Sequence, residues 1–245
     1  MRTLLSERYA PITSSIGYLE LPLDEAAKGL EQWRRSLNPG LRMSRPGDGF
    51  PEVLHRLEPL TGGIRPRELL IEAGKNWSAY FDNSLQGPDA VTTVRHLSRT
   101  LQCQGLAIKV VPHTIGLPGI KRGRPGAVQF ELLGPLQTDF MNYVRTVAVY
   151  WDGSKWVFIA EGTPQWFEDL EAYKARRVRD RFTSEMLERY CKALGLDVFE
   201  PSFYGPGSVF FESPTPIPPG AKVMTLKEVQ EWLEIIPGMA DSLPG

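Results

Sequence analysis

Three aromatic rings, two carboxylates, two asparagines and a Gly-Pro bend fall within GKNWSAYFDNSLQGPDA, residues 74–90. Carboxylates can move protons, and aromatic and amide side chains can recognise a partner. If WSAYFDN is a strand, its side chains alternate between two faces. Trp77, Ala79 and Phe81 then belong in the core. Ser78, Tyr80 and Asp82 face solvent or a cleft, and Asn83 sits where the chain leaves the strand. Tyr80, Asp82 and Asn83 are therefore candidate binding residues. Asp89 has a structural task, as the cap whose carboxylate accepts the free N–H groups of a following helix.

Other chemistries are poorly served. The three histidines, His55, His96 and His113, form no HExxH or His-x-His pattern. A zinc site from His96, His113 and Glu131 or Asp82 would need convergence that no ligand spacing announces, so no metal and no cofactor are expected. Cys103 and Cys191 lie far apart, match no catalytic signature and read as free thiols. No G-x-S-x-G elbow, Walker loop or G-x-G-x-x-G is present. A carboxylate enzyme needs no motif, which leaves a hydrolase drawing on Asp82, Glu131, Asp139 and Glu161 as an alternative.

Lys121-Arg122-Gly123-Arg124-Pro125 resembles the AT-hook, whose Arg-Gly-Arg-Pro core lies extended in the minor groove of A·T-rich DNA. That resemblance implies nucleic-acid binding through Arg122 and Arg124. It covers five residues, lacks basic flanks and sits between two strand-like segments. A second basic run, KARRVRDR (174–181), reads as helical, with Glu168, Asp169 and Glu171 upstream as ion-pair partners. Trp151 and Trp156 flank Asp152-Gly153. They either clasp a hairpin across its strands or present an anchor to a protein partner.

The elements that must position these residues follow from periodicity. Residues 16–22 read as a strand, then a helix capped by Asp24 runs to the NPG at 38–40. Residues 67–74 and 77–83 read as a hairpin, 89–101 as a helix and 105–113 as a strand. This is the split βαβ order of ferredoxin-like folds. After the basic Gly/Pro loop 116–126 come a strand at 127–134 and a hairpin over 144–162. A helix opened by Thr163-Pro164 is predicted next, followed by one capped by Thr183, two strands within 196–213 and a last helix over 225–236. Thr225 and Glu228 have the spacing of a capping box.

The predicted class is α+β, a mostly antiparallel sheet with helices packed on one face. The 245 residues read as one domain, or as two lobes (14–115 and 127–212) joined by the basic loop, with a docking helix at the C-terminus. The 21 prolines cluster between the periodic segments, which predicts fixed loops on a regular scaffold. A net charge of −1 supplies no global field toward nucleic acid or anionic lipid. With no apolar stretch of membrane-spanning length and no secretory leader, the expectation is a cytoplasmic protein without membrane contact. The expected function is non-enzymatic binding of a protein partner. Immunity-type proteins, which neutralise a toxin by covering its active site, are one class of this kind.

Overall fold

The computed structural model describes residues 1–243. In chain order its strands and helices are β1 (Ser15–Leu19), α1 (Leu23–Leu37), β2 (Arg42–Ser44), β3 (Leu60–Thr61), β4 (Arg67–Ala73), β5 (Trp77–Asp82), α2 (Ala90–Thr100), β6 (Gly105–Val111), β7 (Ala127–Leu133), β8 (Tyr143–Trp151), β9 (Trp156–Gly162), α3 (Ser184–Ala193), β10 (Tyr204–Glu212), β11 (Val223–Met224) and α4 (Leu226–Leu233). Nine strands form one antiparallel sheet in the order β2-β10-β4-β5-β1-β6-β7-β8-β9, and β3 pairs with β11 apart from it.

The α+β class is that expected, and so is the split βαβ order. β4 and β1 run parallel with β5 between them, and β5 and β6 run parallel with β1 between them. The meander β6-β7-β8-β9 extends this unit on one side, and β10 and β2 extend it on the other. The segments on either side of loop 116–126 thus share one sheet.

α1 and α2 pack on one face, over Leu70, Tyr80, Ala107 and Phe211. Val94 of α2 sits so close to β1 and β6 that a Cβ at Gly17 or Gly105 would lie 2.5 Å from one of its methyl groups. Glycine is required there by contact, not by backbone angle. The opposite face carries the larger core, formed by Phe81, Phe130 and Val147 with α3, the 3-10 turn Glu52–Leu57 and the buried side of α4.

Several caps match their sequence signals. Asp89 accepts the Thr92 N–H, Thr183 accepts the Met186 N–H, and Thr225 and Glu228 complete the capping box. Asp24 is not a cap. α1 begins at Leu23 behind Pro22, two residues before a helix capped by Asp24 would start, and Asp24 lies in its first turn.

Two larger differences have tertiary causes. No helix follows Thr163-Pro164; residues 163–183 run irregularly through two 3-10 turns, Ala172–Lys174 and Val178–Asp180. Glu168, expected as an ion-pair partner of the 174–181 basic run, is instead drawn fully inside against Arg145 of β8. Residues 204–212 form one strand, not part of two. A bulge between Tyr204 and Ser208 absorbs Gly205-Pro206-Gly207, where the Gly207 N–H donates to the Glu72 carboxylate.

Candidate functional site

Strand alternation in WSAYFDN holds, but both faces are covered. Trp77, Ala79 and Phe81 enter the larger core, and Tyr80 packs beneath α1 and α2. Tyr80 and Asp82 were expected at solvent or in a cleft, with Asn83 beside them at the strand's end as a further binding candidate; all three are buried. The Tyr80 hydroxyl donates to Glu68 at 2.7 Å, and Arg34 of α1 grips both oxygens of that carboxylate at 2.8 and 2.6 Å. Asp82 accepts the N–H groups of Ser84 and Asp89. Asn83 accepts from the Arg67 N–H and donates to the Pro59 carbonyl. Burial pushes the Asp82 carboxyl up to about 6, against the two N–H donors and Arg65, which hold it down. Trp33 stacks on His96 at 3.8 Å at the margin of this cluster. These groups fasten α1, α2 and the β5–α2 turn to the sheet.

The loop bearing the AT-hook-like residues is also tied down. Glu234, at the end of α4, accepts the N–H groups of Lys121, Arg122 and Gly123 at 2.9, 2.7 and 2.9 Å. Arg122 is exposed. Arg124 turns inward and is buried in an ion pair with Glu7, 2.9 Å apart, so the two arginines are not presented together. The 174–181 run meets this loop at one cavity, lined by Arg179 together with Ile115 and Leu117 rather than by the loop's arginines.

Trp151 and Trp156 are directly opposed across the β8–β9 hairpin, edge to face with ring centroids 5.9 Å apart. His113 lies 5.0 Å from each ring, and its Nδ1 accepts the Gly126 N–H. This trio clasps the hairpin to loop 113–126, and both tryptophans remain half-buried.

The cysteine thiols are unsuited to nucleophilic work. Burial pushes Cys103 up to about 12 and Cys191 higher still. Among the described residues, no three His, Cys, Asp or Glu side chains come close enough to hold one metal ion.

The open site lies elsewhere, on the α1/α2 side of β6–β9. α2 covers β1 and β6 and extends as far as β7, and among the described residues no helix packs over that face of β8 and β9. Register places Lys109, Gln129, Ala148 and Ile159 in one row across the four strands, and Ala107, Glu131, Thr146 and Glu161 in the next. At one end is a cavity of about 350 Å³ bordered by Lys109, Gln129, Tyr150 and Trp151. At the other is one of about 500 Å³, bordered by Glu131, Asp139, Phe140, Tyr143, Ile159 and Glu161. Three of the four carboxylates considered for hydrolysis therefore meet; Asp82 does not join them.

Glu131 is the unusual member. One of its oxygens is buried with no hydrogen-bond partner. Burial pushes its carboxyl up to about 7, with Lys109 pulling the other way. The chain pattern contained a signal for this face, since Gln129 and Glu131 alternate with Val128, Phe130 and Leu132. Nothing local indicated that Phe140, Tyr143, Tyr150 and Ile159 would join it.

The raised carboxyl has a consequence for stability. Its ordinary value is 4.5, so the folded state holds the proton more tightly than the unfolded chain. Its contribution is complete below about 4.5 and is lost as pH rises through about 7. Glu131→Gln should therefore stabilise the protein above neutrality, by about 1 kcal/mol after screening and the loss of the Lys109 countercharge are allowed for. Urea midpoints measured near pH 5 and pH 8 check this. An equal effect at both pH values would contradict it.

Comparison of the chain with protein-family models, with curated proteins and with solved structures finds no match. No helix among the described residues is long and apolar enough to cross a membrane.

Proposed function

We propose that the protein binds another protein through the uncovered face of β6–β9. The observation that supports this reading is the missing helix layer, which leaves Tyr150, Ile159 and Tyr143 beside Glu131 and Glu161 on one sheet surface, with Asp139 of the β7–β8 loop at its border. Aromatic and aliphatic anchors ringed by charge are the usual makeup of a protein interface. The carboxylates at one end favour a partner with a basic surface. Covering such a surface on a toxin would make this an immunity-type activity.

Tyr80, Asp82 and Asn83 have no part in this reading, being buried, and Trp151 takes part only at the rim of the smaller cavity. The test is direct titration against a partner isolated on the wild-type chain. Ile159→Arg should weaken binding at least tenfold with the circular dichroism spectrum unchanged, because the side chain is half-exposed and central. Trp166→Ala, at an 83% exposed ring outside the face, should leave affinity unaltered. Equal binding by the Ile159 variant would defeat the reading.

A second reading has one specific observation in its favour. Glu131, with its carboxyl near 7 in a cavity shared with Asp139 and Glu161, has the properties of a general acid. On that reading Glu131→Gln abolishes turnover of a hydrolysable substrate while leaving partner binding in place.

A further inference from the structure

The main sheet ends on β9, and among the described residues no strand pairs with its outer edge; the 3-10 turn Val178–Asp180 packs against β9 without taking a main-chain hydrogen bond from it. Hydrogen bonds at the two ends of the hairpin identify which main-chain groups point outward. Asp152 N–H donates to the Lys155 carbonyl, and Thr163 N–H to the Val144 carbonyl. Bonding residues alternate along an antiparallel pair. Val157, Ile159 and Glu161 therefore bond inward to β8, while Trp156, Phe158 and Ala160 aim their N–H and C=O groups away from the sheet. Protein edges are ordinarily blunted by proline, lysine, a bulge or brevity. Within β9 there is no proline, lysine or bulge: its seven residues, WVFIAEG, pair regularly with β8 and carry one charge, Glu161, and Lys155 directly precedes the strand. The opposite edge, β2, is only three residues long.

We propose that β9 pairs with β9 of a second copy of this chain, antiparallel about a two-fold axis at Phe158. Gly162, at φ +84°, turns the chain out of extended conformation, and the hairpin turn precedes Lys155. The usable edge thus runs from Lys155 to Glu161, and Phe158 is its midpoint. An axis there sets Phe158 against Phe158 and Trp156 against Ala160. These are outward-bonding residues, so each pair exchanges two main-chain hydrogen bonds. Val157 meets Ile159 on the intervening positions. Lys155 meets Glu161, twice by symmetry.

Both charged side chains are exposed and alternate onto the face that carries Val157 and Ile159; among the described residues neither makes an ion pair, although the Lys155 backbone N–H and, to a lesser extent, its charge lower the nearby Asp152 carboxyl. Moving the axis to residue 159 would set Lys155 against Thr163; moving it to residue 157 would set it against Ile159. Either shift loses both ion pairs. Charge complementarity and the length of the usable edge select the same register. The hydrogen bonds of this contact are made by the edge, while Val157, Ile159 and Glu161 also border the open face; pairing of two copies requires no other protein on that face.

Sedimentation equilibrium of the full chain over a range of concentrations tests the proposal. A monomer–dimer equilibrium is expected. Glu161→Lys places lysine against lysine at both ends and should weaken the dimer by about tenfold or more. Lys155→Glu should do the same, and the double exchange Lys155→Glu/Glu161→Lys should restore wild-type affinity. Both positions are solvent-facing, so folding is not at stake. A chain that stays monomeric throughout overturns the proposal. So does a dimer indifferent to Glu161→Lys, or a double exchange no better than either single change.

Discussion

Arg145→Ala is expected to cost about 3–5 kcal/mol, because it strands a buried carboxylate. Arg145 of β8 contacts Glu168 through Nε at 2.9 and 3.2 Å and through Nη2 at 2.7 Å, and its Nη1 donates to the Gly162 carbonyl. Both side chains are almost wholly excluded from water, at 4% and 0% exposure. The same carboxylate accepts the Tyr173 hydroxyl and the Gln165 N–H, so it organises the irregular 163–181 segment as well as pairing with the strand. Removing Arg145 leaves that charge with only neutral donors. Replacing both partners by apolar residues of similar volume, Arg145→Met with Glu168→Leu, should recover part of the loss. Urea unfolding gives the comparison. A single variant with a wild-type midpoint would show that the pair contributes little.

Arg124→Ala is expected to cost a similar amount, about 3–5 kcal/mol, by uncovering Glu7. Its near neighbour supplies a control. Arg122 is exposed and contributes only its N–H to Glu234, so Arg122→Ala should shift stability by no more than about 0.5 kcal/mol. The two arginines look equivalent within the basic loop, and the structure separates them completely. Thermal or urea midpoints near neutral pH decide the matter, and equal effects from the two changes would be incompatible with this geometry.

These cases show why part of the molecule was readable from its sequence and part was not. The βαββαβ order, the 67–83 and 144–162 hairpins and the capping box at Thr225 and Glu228 are specified by residues close together in the chain. Alternation also assigned Trp77 and Phe81 to one face and Tyr80 to the other. It carries no information on what covers each face, and α1 and α2 bury Tyr80 and Asp82. Arg124 stands with Arg122 as a nucleic-acid-binding candidate in the sequence because its partner, Glu7, is 117 residues away. The Thr163-Pro164 signal promised a helix, but the draw of Arg145 on Glu168 outweighs a local start signal. The open site is legible to the same extent: Glu131, Asp139 and Glu161 could be named as candidates, whereas their meeting depends on strand register and on the reach of α2.

The position of β10 bears on how the chain leaves the ribosome. This strand inserts between β2 and β4, yet it is made long after both. A nascent chain that has already paired β4 with β5 keeps the other margin of β4 bare until residues 204–212 emerge. At ordinary translation speeds that interval lasts on the order of ten seconds. Throughout it, Leu69 and Ile71 lie on a strand with one unsatisfied side, and their core lacks α3 and α4 as well. The sheet is therefore completed only near the end of synthesis, and the half-made chain is the form that most needs a chaperone's shelter.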